Sequence, residues 1–237
     1  MVIVTRLPRT LLGCSIALAA PVADVCADPI EDLQNWSAIF ATGGLPGVHE
    51  KARYWLEGQG RFGEEISRFN QGILRPGLGW ALSERVTLWA GYAWIPTDPP
   101  GSNNGTSEHR LWQQVLWTTP LPLGEFTLVS RTRLEQRFFE HADDTGWRLR
   151  QFTKVTHPLA LEGRLYASIW DEVFLAIDDT DWGAHAGLDQ NRSFGGIGLR
   201  LARGVALEAG YLNQYVFRRT RDDANNHILA FSLYLNL

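Results

Sequence analysis

Alternation of apolar and polar side chains is the feature that most restricts the fold of this chain. Within residues 126–139, Leu128 and Leu134 occupy one parity while Arg131 and Arg133 occupy the other. A period of two residues places the two sets on opposite faces of a β-sheet. The pattern recurs along the chain, and no apolar run is long enough for a transmembrane helix. The chain is therefore predicted to be all-β.

Eleven segments carry the strand pattern, and turn residues separate them. They lie near residues 33–42, 51–61, 70–81, 85–95, 109–119, 125–139, 146–157, 163–175, 191–201, 205–217 and 226–237. Strands at regular spacing predict either a β-sandwich or a β-barrel.

The connections between these segments favour the barrel. Short connections at 83–84, 120–124, 158–162 and 202–204 alternate with long polar ones at 96–108, 140–145, 176–190 and 218–225. Outer-membrane barrels have short periplasmic turns and longer extracellular loops. The prediction is an antiparallel transmembrane β-barrel of about 10–12 strands in the outer membrane of a Gram-negative bacterium.

Aromatic residues near the ends of the apolar faces agree with this placement. Such residues form girdles at the two membrane interfaces. The candidates are Trp80, Tyr92, Trp94, Trp117, Trp147 and Tyr211. The last segment also carries alternate apolar residues up to Leu237, as outer-membrane barrels do.

The segment 33–42 leaves the strand count open. Ten strands from about residue 51 onward would close an even barrel. The segment 33–42 could then cap or plug that barrel or pair at its seam. If one of the other segments is really two strands, the count becomes twelve.

Residues 1–27 have the pattern of a cleaved secretory signal peptide. Arg6 and Arg9 precede an apolar stretch at 11–20, and small residues end at Ala27. The predicted mature protein is a single domain, 28–237. It has no cysteine, because Cys14 and Cys26 both lie in the leader, and this excludes disulfide scaffolds and thiolate metal sites.

The charge balance restricts the partners. The chain has 22 basic and 26 acidic residues, a net charge of −4, which argues against nucleic-acid binding. The expected partners are outer-membrane lipid and lipopolysaccharide, and the barrel-assembly machinery during biogenesis. Small anionic solutes are a further candidate.

The order of short motifs over residues 33–237 resembles the bacterial domain-of-unknown-function 2490 family, regarded as outer-membrane β-barrels. The motifs are Leu74-Arg75-Pro76-Gly77-Leu78-Gly79-Trp80, Ala90-Gly91-Tyr92-Ala93-Trp94, Arg133-Leu134-Glu135-Gln136-Arg137, Trp170-Asp171-Glu172-Val173-Phe174, Asp189-Gln190-Asn191-Arg192 and Gly210-Tyr211-Leu212-Asn213-Gln214-Tyr215. The resemblance implies fold and location, and the family has no established activity.

The polar parity of the strands predicts a lumen lined mainly by cations. The proposed lumen residues are Arg53, Glu57, Arg61, Arg75, Arg131, Arg133, Glu135, Arg137, Arg148, Arg150, Lys154, Glu172, Arg192, Arg200 and Glu208. Rings of arginine or lysine select anions, which suggests a porin-like, narrow, anion-preferring channel. The alternative is a non-conducting structural barrel, filled by an Arg–Glu network.

Histidines supply a third and weaker hypothesis, a lipid-modifying outer-membrane enzyme. His109, His141, His185 and His227 all fall near the proposed extracellular rim, where a histidine could act as a general base. No serine-centred motif or fixed spacing selects one of them, and the acidic run at 178–181 lacks metal-ligand spacing. We therefore expect no enzyme activity, no catalytic residue, no cofactor and no metal.

Overall fold

In the computed structural model, the described residues are 29–98, 105–122, 124–219 and 222–237, and they contain eleven strands. The strands are β1 (Ile30–Gly44), β2 (Ala52–Gly63), β3 (Arg68–Ala81), β4 (Val86–Thr97), β5 (Thr106–Pro120), β6 (Thr127–Phe139), β7 (Thr145–Ala160), β8 (Leu165–Ala176), β9 (Gly187–Ala202), β10 (Val205–Val216) and β11 (Ala224–Asn236). The expected leader, 1–27, lies outside these ranges. Within them there is no helix long and apolar enough to cross a membrane.

The strands form one closed barrel in which each pairs with its neighbour in sequence and β1 closes against β11. Phe40 of β1 lies opposite Glu57 in an antiparallel ladder and opposite Tyr234 in a parallel one. The barrel is antiparallel, as expected, at every strand pair except β1–β11, which is parallel. An up-and-down series with an odd number of strands begins and ends in the same direction, so its closure must be parallel. The segment 33–42 pairs at the seam.

The two ends of the barrel differ in loop length, although less regularly than expected. We call the end where β11 finishes the C-terminal mouth and the opposite end the long-loop mouth. The connection 203–204 lies at the C-terminal mouth, and 177–186 lies at the long-loop mouth. However, the seven-residue connection 45–51 is at the C-terminal mouth, and the four-residue turn 64–67 is at the other.

The outer surface carries many apolar side chains. The six aromatic residues expected in girdles are all exposed, and Leu78 and Ile169 are 67% and 66% exposed. The outer face is not apolar throughout, since Asp171 receives hydrogen bonds from Asn191 and Ser193 there. The separation of apolar outer side chains from polar inner ones, predicted from parity, is thus present. Polar side chains on β8 and β9 interrupt the apolar outer face.

Glycines in the wall make room for large rings inside the barrel. Trp112 is fully buried and donates its indole N–H to the Tyr92 carbonyl at 3.1 Å. A Cβ on Gly91 would lie 2.6 Å from the Trp112 ring and 2.3 Å from the Pro76 carbonyl oxygen. Both distances are too short, so the position of this ring depends on the absence of a side chain at residue 91.

The substitution Gly91→Ala is expected to destabilise the barrel by about 1–3 kcal/mol, because an extra methyl group must displace the ring or the strand. Urea unfolding of the purified protein, followed by tryptophan fluorescence, measures this loss. Gly58→Ala is the matched control, since a Cβ there has nothing within 4 Å. Equal stability of the two variants would contradict the packing argument.

Candidate functional site

The barrel encloses a cavity of about 1100 Å³. At the long-loop mouth its lining includes Ile30 and Ala224, and at the C-terminal mouth it includes Thr42 and Asn236. These residues lie at the opposite ends of β1 and β11. The cavity therefore extends along the length of the barrel.

Most of the proposed lumen residues line this cavity. Twelve of the fifteen do so: Glu57, Arg61, Arg75, Arg131, Arg137, Arg148, Arg150, Lys154, Glu172, Arg192, Arg200 and Glu208. Arg133 and Glu135 are completely buried beside it. Arg53 does not line the cavity, because its guanidinium instead donates to the carbonyls of Glu50 and Ala52 near the β1–β2 turn.

Glu135 on β6 is the centre of a buried ion-pair network. Its oxygens accept hydrogen bonds from Arg148 and Arg150 on β7, each with a shortest N–O distance of 2.7 Å. Three further guanidiniums lie 3.6–3.9 Å away, those of Arg75, Arg110 and Arg133. A buried carboxylate of this kind offsets the desolvation of several cations at once.

Two other glutamates join strands that are not neighbours. Glu172 on β8 accepts from Arg131 on β6 at 2.6 Å. Glu208 on β10 accepts from Lys154 on β7 at 2.6 Å and from the Tyr166 hydroxyl at 3.0 Å. These bonds cross the barrel interior. The network therefore joins strands across the lumen as well as neighbouring strands in the wall.

The sequence reasoning missed Glu108 and Arg110 on β5. Arg110 pairs with Glu108 at 2.6 Å, and Glu108 also accepts from Arg137 at 2.5 Å. Glu108 lies outside the expected segment 109–119, because β5 begins at Thr106, whereas Arg110 lies inside that segment. The signal was present, because Arg110 has the same parity as the inward-facing Trp112.

Cations exceed carboxylates on the described cavity lining. Eleven cationic side chains and seven carboxylates contribute to it. Arg61 and Arg192 are two of the cations, and neither forms an ion pair with any carboxylate in the described ranges. Their hydrogen-bond partners are glutamines instead, among them Gln71 and Gln190.

The rim histidines have separate partners. His109 pairs with the Tyr92 hydroxyl, and His227 lies 2.6 Å from that of Tyr211. His185 Nδ1 is 3.4 Å from an Asp179 oxygen. The fourth, His141, has an exposed side chain beside Glu140.

The acidic run at 178–181 supports the loops at the long-loop mouth. Asp178 accepts from the backbone N–H of Trp147, and Asp181 accepts from that of Asp143. The Ala186 N–H, which donates to Asp179, and the nearby His185 hold the pKa of Asp179 below its ordinary value. No group of three or more potential metal-ligating side chains is assembled within the described ranges.

Together, the fold and the interior define a closed, eleven-stranded β-barrel with a charged and largely paired lumen. The chain belongs to the family of proteins of unknown function DUF2490, whose model matches residues 33–225. It is 36% identical over 229 residues to an uncharacterised protein of Methylorubrum extorquens, a match that covers 95% of this chain and 96% of the relative. No solved structure matches the chain.

Proposed function

We propose that this protein is an outer-membrane β-barrel whose narrow lumen conducts small anions. The observation that carries the proposal is the cavity lining, which reaches both mouths and contains more cations than carboxylates. A polar interior of this kind is typical of barrels that hold a water-filled path.

The outer surface supports placement in a membrane. Trp80 and Trp117 lie near the C-terminal mouth, whereas Trp94 and Trp147 lie toward the long-loop mouth. Exposed aromatic residues at two levels, with leucine and isoleucine between them, match the interfacial girdles of membrane barrels. Lipid and lipopolysaccharide would contact this surface, and residues 1–27 would direct export before the assembly machinery inserts the barrel.

A non-conducting barrel is the second candidate, and the cross-lumen ion pairs favour it. Glu135 on β6 and Arg75 on β3 belong to strands that do not pair, yet their charged groups lie 3.9 Å apart. Side chains meeting in this way narrow the cavity. In this alternative the network serves to hold the wall together.

Planar-bilayer recordings with a KCl gradient across the membrane separate the two candidates. We expect single-channel conductance and a reversal potential of the sign that indicates chloride preference. The double substitution Arg61→Gln and Arg192→Gln should lower the chloride-to-potassium permeability ratio roughly twofold, because rings of basic groups set anion selectivity. Arg53→Gln is the control, since that residue does not line the cavity.

The outcomes of these recordings distinguish the conducting barrel from the non-conducting one. An absence of conductance would favour the filled, non-conducting barrel, and a preference for potassium would contradict the anion channel. Recovery of the mature protein in the soluble periplasmic fraction would overturn the membrane placement itself.

A further inference from the structure

We infer that Arg61 and Arg192 form a binding site for a small hydroxylated organic anion, one with a carboxylate or phosphate group on a polyhydroxylated body. The inference deepens the proposed function, and it rests on that function for the route by which the anion enters. The site itself is defined by contacts inside the barrel.

The first observation is a pair of arginines without carboxylate partners. Arg148 and Arg150 differ from this pair, since each of them contacts Glu135 and a second carboxylate. Arg61 and Arg192 line the same cavity but contact no carboxylate in the described part of the chain. A bound anion would complete their charge compensation.

The second observation is that the two guanidiniums share one aromatic ring. The Arg61 guanidinium carbon lies 3.7 Å from the centroid of the Trp36 ring, and that of Arg192 lies 4.9 Å from it. Arg192 also lies 4.5 Å from the centroid of the Phe174 ring. Stacking on flat rings holds both cations in fixed positions, so they are preorganised as a pair.

The third observation is the neutral amide shell around the pair. Gln71 accepts from Arg61 at 2.8 Å, and Gln190 accepts from Arg192 at 3.0 Å. Gln59 accepts a further bond from Arg61, at 2.8 Å. The amides hold the guanidiniums in position and leave their positive charge uncompensated, whereas a glutamate at the same place would neutralise that charge.

These features select the ligand class. A guanidinium offers a planar set of N–H donors that matches carboxylate and phosphate oxygens. Amide groups can donate to and accept from hydroxyl groups. Both arginines line the cavity, so an anion inside the barrel can reach them. A sugar acid or a sugar phosphate combines these properties.

Isothermal titration calorimetry of the full barrel in detergent tests this directly. The probes are glucuronate, which has a carboxylate, glucose 6-phosphate, which has a phosphate, and uncharged glucose. We expect at least one of the anions to bind and glucose not to bind. The stronger of the two anions identifies which acidic group the site prefers.

Isosteric substitutions then locate the site without removing an arginine. Gln71→Glu and Gln190→Glu each place a carboxylate beside one of the two cations, and each should weaken anion binding about tenfold or more through charge neutralisation. Gln114→Glu is the matched control. Gln114 also accepts from an arginine, Arg133, but it does not line the cavity.

The result that overturns the site is no binding of either anion, equal binding of glucose, or an equal loss of affinity in Gln114→Glu. Calorimetry needs no membrane, so it fails or succeeds independently of conductance. A barrel that binds the anions but does not conduct supports the site and contradicts the channel. A barrel that conducts chloride but binds neither anion supports the channel and contradicts the site.

Discussion

Replacing Glu135 by glutamine is expected to lower the free energy of unfolding by about 3–5 kcal/mol, the range measured when one partner of a buried ion pair is removed. Glutamine keeps the size of the side chain but removes its charge. Arg148 and Arg150 would then lose the carboxylate to which both are bonded. Glu135 is completely buried, so water cannot replace the lost interaction.

Urea unfolding in detergent measures this change, and resistance of the folded band to heating before electrophoresis gives a second readout. Glu140→Gln is the matched control, because Glu140 is exposed and lies beside the exposed side chain of His141. That control should change stability by less than about 0.5 kcal/mol. Similar losses of unfolding free energy in both variants would show that the ion-pair network around Glu135 contributes little to stability.

A disulfide between positions 37 and 231 is expected to form across the β1–β11 seam. Ser37 and Phe231 are register partners in the parallel ladder, and adjacent strands are about 4.8 Å apart, within the range that a disulfide spans. The double substitution Ser37→Cys and Phe231→Cys, made with Cys14 and Cys26 replaced by serine, should be oxidised in most molecules. Non-reducing electrophoresis after proteolysis detects the crosslink.

The off-register pair Ser37→Cys and Leu235→Cys is the control. Leu235 is four residues farther along β11, about 13 Å from the position opposite Ser37. The two cysteines of this off-register pair should therefore remain reduced. Crosslinking of the off-register pair in preference to the first would mean that β1 does not close the barrel in this register.

Much of the wall was predictable from alternation alone. All eleven segments became strands, because inward and outward side chains differ in polarity along nearly every strand. The parity that places Arg148 and Arg150 inside also places Trp147 outside. Family membership agrees with the resemblance seen in the motifs.

The partners inside the lumen were not predictable. Alternation shows which side of the wall a residue faces, but it does not reveal the stagger that brings Glu135 near Arg75. That stagger depends on how eleven strands close together. Alternation also does not reveal the partners of Arg53. Its parity is inward, but its guanidinium donates to the carbonyls of Glu50 and Ala52.

The parallel seam also governs how the chain can be rearranged. In an even-stranded barrel the first strand begins at the rim where the last strand ends, so a short linker can join these two points in a circular permutant. Here Ile30 and Asn236 are at opposite rims, because β1 and β11 run in the same direction. A linker would have to span the 13-residue length of β11, about 40 Å. Domains fused directly before Ile30 and directly after Asn236 would consequently be held on opposite sides of the barrel.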